Sequence, residues 1–215
     1  MQVKGPANPG TNTGSIDSTP GMETAMHDLY RQLCRDHRNM QQLLDAFEAL
    51  LEDFGRRERD PATLGLILDA LDYISVYPDR WHHPLEDLAM ERLRTKPAAN
   101  LVPVDRTMAE HKALVSATRR MNTLFYAIAN DAAVERSQLF GPVREYLQLQ
   151  RQHMERENRE IFPQLERLLT AADWADIERQ LQVQRDPLFN PDLRRMYDSL
   201  HDYIANFQQP ACATA

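Results

Sequence analysis

The chain is short of glycine, with seven in 215 residues. An all-β fold uses glycine in its many turns, so the scarcity argues against one. Cysteine is scarcer still: Cys34 and Cys212 are too few for a disulfide framework. No apolar run approaches the roughly 20 residues that span a bilayer. The first residues, rich in Gly, Pro, Asn and Thr, lack the apolar centre of a signal peptide. Nor is there a basic surplus. The net charge is −7, so the electrostatic footprint of a nucleic-acid-binding surface is missing. A cytoplasmic chain is expected, with neither nucleic acid nor membrane as partner.

What is present is helix-forming: long runs of Leu, Ala, Glu, Gln, Arg and Met. Residues 1–20 have little to bury and read as a disordered tail. A first helix is expected from about Met22 to Phe54. Its stripe Met26, Tyr30, Leu33, His37, Met40, Leu44, Phe47, Leu51, Phe54 steps by 4 and 3 without interruption. Asp60-Pro61 opens a second helix carrying Leu64, Leu68, Leu71, Ser75, Pro78, His82, Glu86, Ala89 and Leu93, with a bend beside His82 from Pro78 and Pro84. The third, about Pro103 to Asn130, carries Met108, His111, Val115, Thr118, Asn122 and Phe125. A fourth, about Ser137 to Leu169, carries Leu139, Val143, Tyr146, Gln150, His153, Glu157, Ile161 and Leu165. Thr170-Ala171-Ala172-Asp173 resembles a capping box for a fifth helix to about Gln184, and Asn190-Pro191 opens a sixth to about Phe207. The expected fold is all-α: an up-down-up-down four-helix bundle over residues 21–170, two further helices over 171–207, and a tail at 208–215.

Each bundle stripe contains one histidine: His37, His82, His111 and His153. His82 precedes Glu86 by four residues, and His153 precedes Glu157 by four, which places each pair on one helix face. One buried imidazole is ordinary in a core. Four, with two carboxylates one turn away, would leave many half-satisfied polar groups unless a cation holds them. Imidazole with carboxylate suits Fe, Zn, Mn or Co, and two ions bridged by two carboxylates fit the inventory. The Glu-x-x-His pattern of ferritin-like di-iron bundles is absent at these histidines.

The ordered set of His37, His82-x-x-x-Glu86, Glu110-His111 and His153-x-x-x-Glu157 followed by Ile161-Phe162-Pro163 resembles the hemerythrin-like HHE cation-binding domain over about residues 22–170. Asp173-Trp174 and Asp186-Pro187-Leu188-Phe189 resemble a C-terminal extension of some bacterial members. The resemblance implies a non-haem di-iron centre with an oxo or hydroxo bridge. His37 and His82 would hold one iron, His111 and His153 the other, and Glu86 and Glu157 would bridge. It also implies a small ligand such as O2, H2O2 or NO. Two departures stand out. Oxygen-carrying members have a histidine where this chain has Val115, and an Asp five residues after the last histidine where this chain has Glu157 after four. With fewer ligands, open positions favour redox chemistry on peroxide, O2 or NO over oxygen carriage. The competing reading is an O2 or iron sensor or store without turnover.

His83 would point about 100° from His82 on a regular helix. Either the Pro84 irregularity swings it into the site, or it lies outside, paired with Asp87. Glu110 is expected to orient an imidazole. Tyr146 and Tyr30, each seven residues before a candidate ligand, read as core aromatics and Cys34 as a buried thiol; His27 and His201 read as surface residues.

Overall fold

The apolar stripes at 3- and 4-residue spacing close on one another as helices. The computed structural model describes residue 1 and residues 26–56, 60–182 and 184–208. Among these there are eight α-helices and no strand: α1 (Asp28–Arg56), α2 (Pro61–Val76), α3 (His83–Arg94), α4 (Leu101–Ala129), α5 (Arg136–Arg156), α6 (Phe162–Leu168), α7 (Ala171–Gln180) and α8 (Asp198–Phe207). The expected tail at 1–20 lies, beyond Met1, outside the described residues, as does 209–215. No helix among the described residues is long and apolar enough to cross a membrane.

Two π-helical turns, Pro78–His82 and Glu157–Ile161, join α2 to α3 and α5 to α6 into continuous rods. Their cause is legible in the chain. Pro84 and Pro163 follow the turns by two residues and have no N–H to offer the helical ladder. The residue before each proline bonds back five residues instead of four: His83 N–H to the Pro78 carbonyl, Phe162 N–H to that of Glu157. The irregularity expected beside His82 is therefore a π turn.

Four rods carry the core. α1 packs on α2 and α5, and α4 on the same two helices, while α3 meets α4 and α6. Every residue of the expected first stripe is buried except Met26, which precedes α1 and is exposed. The extra residue in each π turn shifts the register on its two sides. In α2 the buried line is Ile67, Ala70, Leu71 and Ile74, whereas Leu64, Leu68 and Ser75 are only half-buried. In α4 the line runs Val104, Thr107, His111, Leu114, Thr118, Met121, Phe125, Ile128, so Met108, Val115 and Asn122 sit beside it.

The capping box at Thr170 forms with Asp173, which also takes the Lys96 ammonium at 2.6 Å and so ties α7 to the end of α3. α7 stops at Gln180, short of the expected Gln184. The last helix begins at Asp198 and not at Asn190. Asn190 heads a turn, its side chain accepting the Asp192 N–H at 2.9 Å, before a 3-10 turn at Arg194–Met196. α8 packs on α1 and α2 through Leu200 and Ile204.

Candidate metal centre

The four rods bring seven side chains to one buried point. α1 supplies His37, and the first π turn with α3 supplies His82, His83 and Glu86. α4 supplies His111, and α5 with the second π turn supplies His153 and Glu157. All are buried, and both glutamates are inaccessible to solvent. Glu86 Oε1 lies 3.2 Å from Nε2 of His37 and of His82, and its Oε2 lies 3.5 Å from His111 Nε2. Glu157 Oε2 lies 3.4 Å from His37 Nε2 and 3.2 Å from His153 Nε2, and its Oε1 lies 3.4 Å from His111 Nε2. Two donor groups result, each with its atoms within 4.8 Å of one another: His37, His82 and Glu86 on one side, and His83, Glu86, His111 and His153 on the other.

Four of the five imidazoles are held from behind. His37 Nδ1 meets Asn158 Oδ1 at 2.9 Å, His82 Nδ1 meets Asp36 Oδ2 at 3.1 Å, His111 Nδ1 meets Asp87 Oδ1 at 2.8 Å, and His153 Nδ1 meets Glu110 Oε2 at 3.2 Å. An Nδ1–H donated outward turns the Nε2 lone pair inward, the arrangement that outer partners impose on metal-ligating histidines. Glu110 is itself held by Arg156, and so orients His153 as expected. Asp87 pairs with His111, not with His83.

Of the two placements open to His83, the structure has the inward one. It is buried in the second group, stacked on His111 with ring centroids 4.6 Å apart. Neither of its ring nitrogens has a hydrogen-bond partner among the described residues, and Asp79 Oδ1 approaches Nδ1 only to 3.6 Å. Glu86 Oε2, Glu157 Oε2 and His153 Nε2 are likewise without one. A buried polar atom left unpaired costs about 1–3 kcal/mol, against a net stability of about 5–15 kcal/mol for a whole domain. Orphans of this number in one space fit a cation that takes their lone pairs.

The electrostatics agree. Burial disfavours the imidazolium of His37, yet the Glu157 and Glu86 carboxylates beside it outweigh this and raise its pKa to about 9. His82 is raised to about 10, against burial, by Glu86 and Asp36. Burial opposes ionisation of both glutamates, but the surrounding imidazoles hold both well down in the carboxylate range. His83 goes the other way: burial, then the charge of His111, keeps it neutral and ready to donate a lone pair.

A pH dependence follows for the metal-free chain. The imidazoles of His37 and His82 are raised above their unfolded value of about 6.5. Their pairing with the carboxylates is therefore fully stabilising below about pH 6.5 and is lost as pH rises through about 9 to 10. A metal must displace those same protons, so affinity should climb across that window. Chelator competition with a redox-inert probe such as Zn2+ measures this; an affinity flat across the window contradicts it. A second expectation concerns orientation. Asp87→Ala frees the His111 ring and should weaken metal binding about 10- to 100-fold with helicity intact. Unchanged affinity by the same competition would show that the contact does not position the ligand.

Other expected residues lie further out. Tyr146 is a buried core residue whose hydroxyl bonds Thr118. Val115 is half-buried beside the inward line of α4. Cys34 is half-buried and hydrogen-bonds Tyr30. His27 is also half-buried, stacked on Trp174 at 5.9 Å, with Nδ1 accepting the Leu29 N–H at 3.3 Å. His201 is half-buried.

The family model described as the Hemerythrin HHE cation binding domain matches residues 28–165. The chain belongs to this family. The match runs from the start of α1 to α6 and so includes all seven centre residues of this hemerythrin-like protein. No curated protein and no solved structure matches the chain.

What sequence reasoning missed in this HHE domain is Asp36 and Asn158 as outer partners of His82 and His37. For His83, Pro84 was the signal of the inward placement.

Proposed function

We propose that this hemerythrin-like chain holds two iron ions between its four rods and turns over hydrogen peroxide, with O2 and NO as related small ligands in oxidative or nitrosative stress. The observation that carries the reading is the pair of donor groups sharing Glu86, with imidazole Nε2 atoms turned inward from both sides. In this assignment His37 and His82 ligate one ion, His83, His111 and His153 the other, and Glu86 and Glu157 bridge. One ion then has four protein ligands and the other five. The four rods are read as an up-down-up-down bundle over residues 21–170, with 171–207 as an extension.

Bound iron would supply one- and two-electron redox chemistry. The protein's part is positional. Asp36, Asp87, Glu110 and Asn158 fix the rings, and burial keeps bulk water away. A cavity of about 470 Å3, lined by His37, Asn158, Cys34, Met154, Arg38, Arg151 and Glu155 among others, lies behind the His37 ring on the half with fewer donors.

The test is anaerobic reconstitution with Fe2+, addition of hydrogen peroxide, and measurement of evolved O2. Many equivalents of O2 per chain are expected. An oxidised iron spectrum with no turnover would overturn the catalytic reading in favour of a sensor or store.

A further inference from the structure

Tyr73, Tyr77 and Trp81 recur at four-residue spacing through α2 and its π turn, so they share one face. Tyr197, from the segment before α8, completes a row. Ring centroids are 5.8 Å apart for Tyr197–Tyr73, 5.9 Å for Tyr73–Tyr77 and 5.4 Å for Tyr77–Trp81. All four rings are buried. Packing alone would be served as well by phenylalanine, which brings no hydroxyl to satisfy.

Here each phenol has its own carboxylate. Tyr77 Oη donates to Asp36 Oδ2 at 3.0 Å, Tyr197 Oη donates to Asp72 Oδ2 at 2.8 Å, and Tyr73 hydrogen-bonds Asp186. Asp36 and Asp186 are themselves buried, which makes each pairing costly as mere structure. A phenol that loses one electron becomes a strong acid, so reversible oxidation requires a base already in hydrogen-bond contact. Three phenols in a row meet that requirement. At the inner end the base is shared: Asp36 Oδ2 also accepts from His82 Nδ1 at 3.1 Å.

We propose that Tyr197, Tyr73 and Tyr77 form a line along which single electrons reach the metal centre, with Tyr77 the residue oxidised first. The proposal rests on the metal reading above. When the centre has been oxidised by hydrogen peroxide, Tyr77 gives it one electron; the phenolic O–H bond breaks and the proton passes to Asp36, leaving a neutral phenoxyl radical. Tyr73 then supplies an electron to Tyr77 and a proton to Asp186, while Asp36 returns its proton to Tyr77. Tyr197 restores Tyr73 in the same way with Asp72 as base. An external one-electron reductant then restores Tyr197, which adjoins the exposed Met196, and Asp72 returns its proton to the phenol.

The experiment uses the full iron-loaded chain, mixed with hydrogen peroxide, freeze-quenched and read by electron paramagnetic resonance. An organic radical is expected whose hyperfine pattern collapses in protein grown with ring-deuterated tyrosine. Tyr77→Phe should lose that signal with iron content unchanged. Tyr73→Phe should keep it but slow its disappearance with ascorbate. Iron that is oxidised by peroxide in wild type without an organic radical, or an unchanged signal in Tyr77→Phe, overturns the proposal and leaves the metal site standing. Should Tyr77→Phe fail to fold, the deuterium label and Tyr73→Phe decide: a radical that ignores both is not on this line. A chain that takes up no iron sinks the metal reading first, as elemental analysis would show, and the relay with it.

Discussion

Alanine in place of Glu86 is expected to leave a folded chain almost free of metal. Its two carboxylate oxygens are divided between the rings: Oε1 faces His37 and His82, and Oε2 faces His111. Glu86 is also common to both donor groups. Removing one outer hydrogen-bond partner of a ligand costs about 10- to 100-fold in affinity. Loss of the shared carboxylate strips a donor from each ion and a negative charge from between them, so the loss should exceed roughly 100-fold. Elemental analysis after reconstitution reads the metal, and circular dichroism checks that the helices persist. Their persistence is expected because the apolar layers built on Leu33, Phe47, Ile67, Leu71, Leu114 and Phe125 do not depend on the centre. A Glu86→Ala protein that keeps two ions would rule out the assigned bridge.

The second large effect is selective. His83→Ala should weaken the binding of one of the two ions and leave the other at wild-type affinity. His83 belongs only to the group with His111 and His153, and its ring is the neutral, unpaired imidazole of the set. The group of His37, His82 and Glu86 is untouched by the change. The substitution also removes the ring stacked on His111 and leaves a void, so a lower melting temperature is expected in the metal-free protein as well. The affinity for that ion separates the two roles. A purely structural His83 would lower stability and leave two ions bound at wild-type affinity.

How much of this the sequence carried depends on range. The α1 stripe was readable because a 3.5-residue repeat needs only local spacing, and nine positions from Met26 to Phe54 kept it. Four inward histidines and two glutamates were readable for the same reason. The stripe on α2 was misread because periodicity assumes one helical repeat, and the π turn at Pro78–His82 inserts a residue. The same turn explains His83. A regular helix would separate it from His82 by about 100°, yet the wider turn and the chain leaving it bury both rings.

The outer partners were hidden for another reason. Asp36 and Asp87 stand next to candidate ligands in sequence, but whether each serves the ring beside it or one on another rod is a matter of packing. Asp36 serves His82 and Asp87 serves His111. The row of tyrosines was further out of reach, because Tyr197 meets Tyr73 only after the C-terminal segment folds back onto α2. The helix end at Gln180 was lost to the weak contrast between a fraying last turn and a polar loop.

On the proposed reading, two groups of donors joined by shared carboxylates hold two ions. The most direct measurement is the metal content of the full chain, reconstituted anaerobically with Fe2+, freed of excess and analysed for iron per chain. Two irons per chain in wild type are expected. One iron, or none, would contradict the two-ion centre.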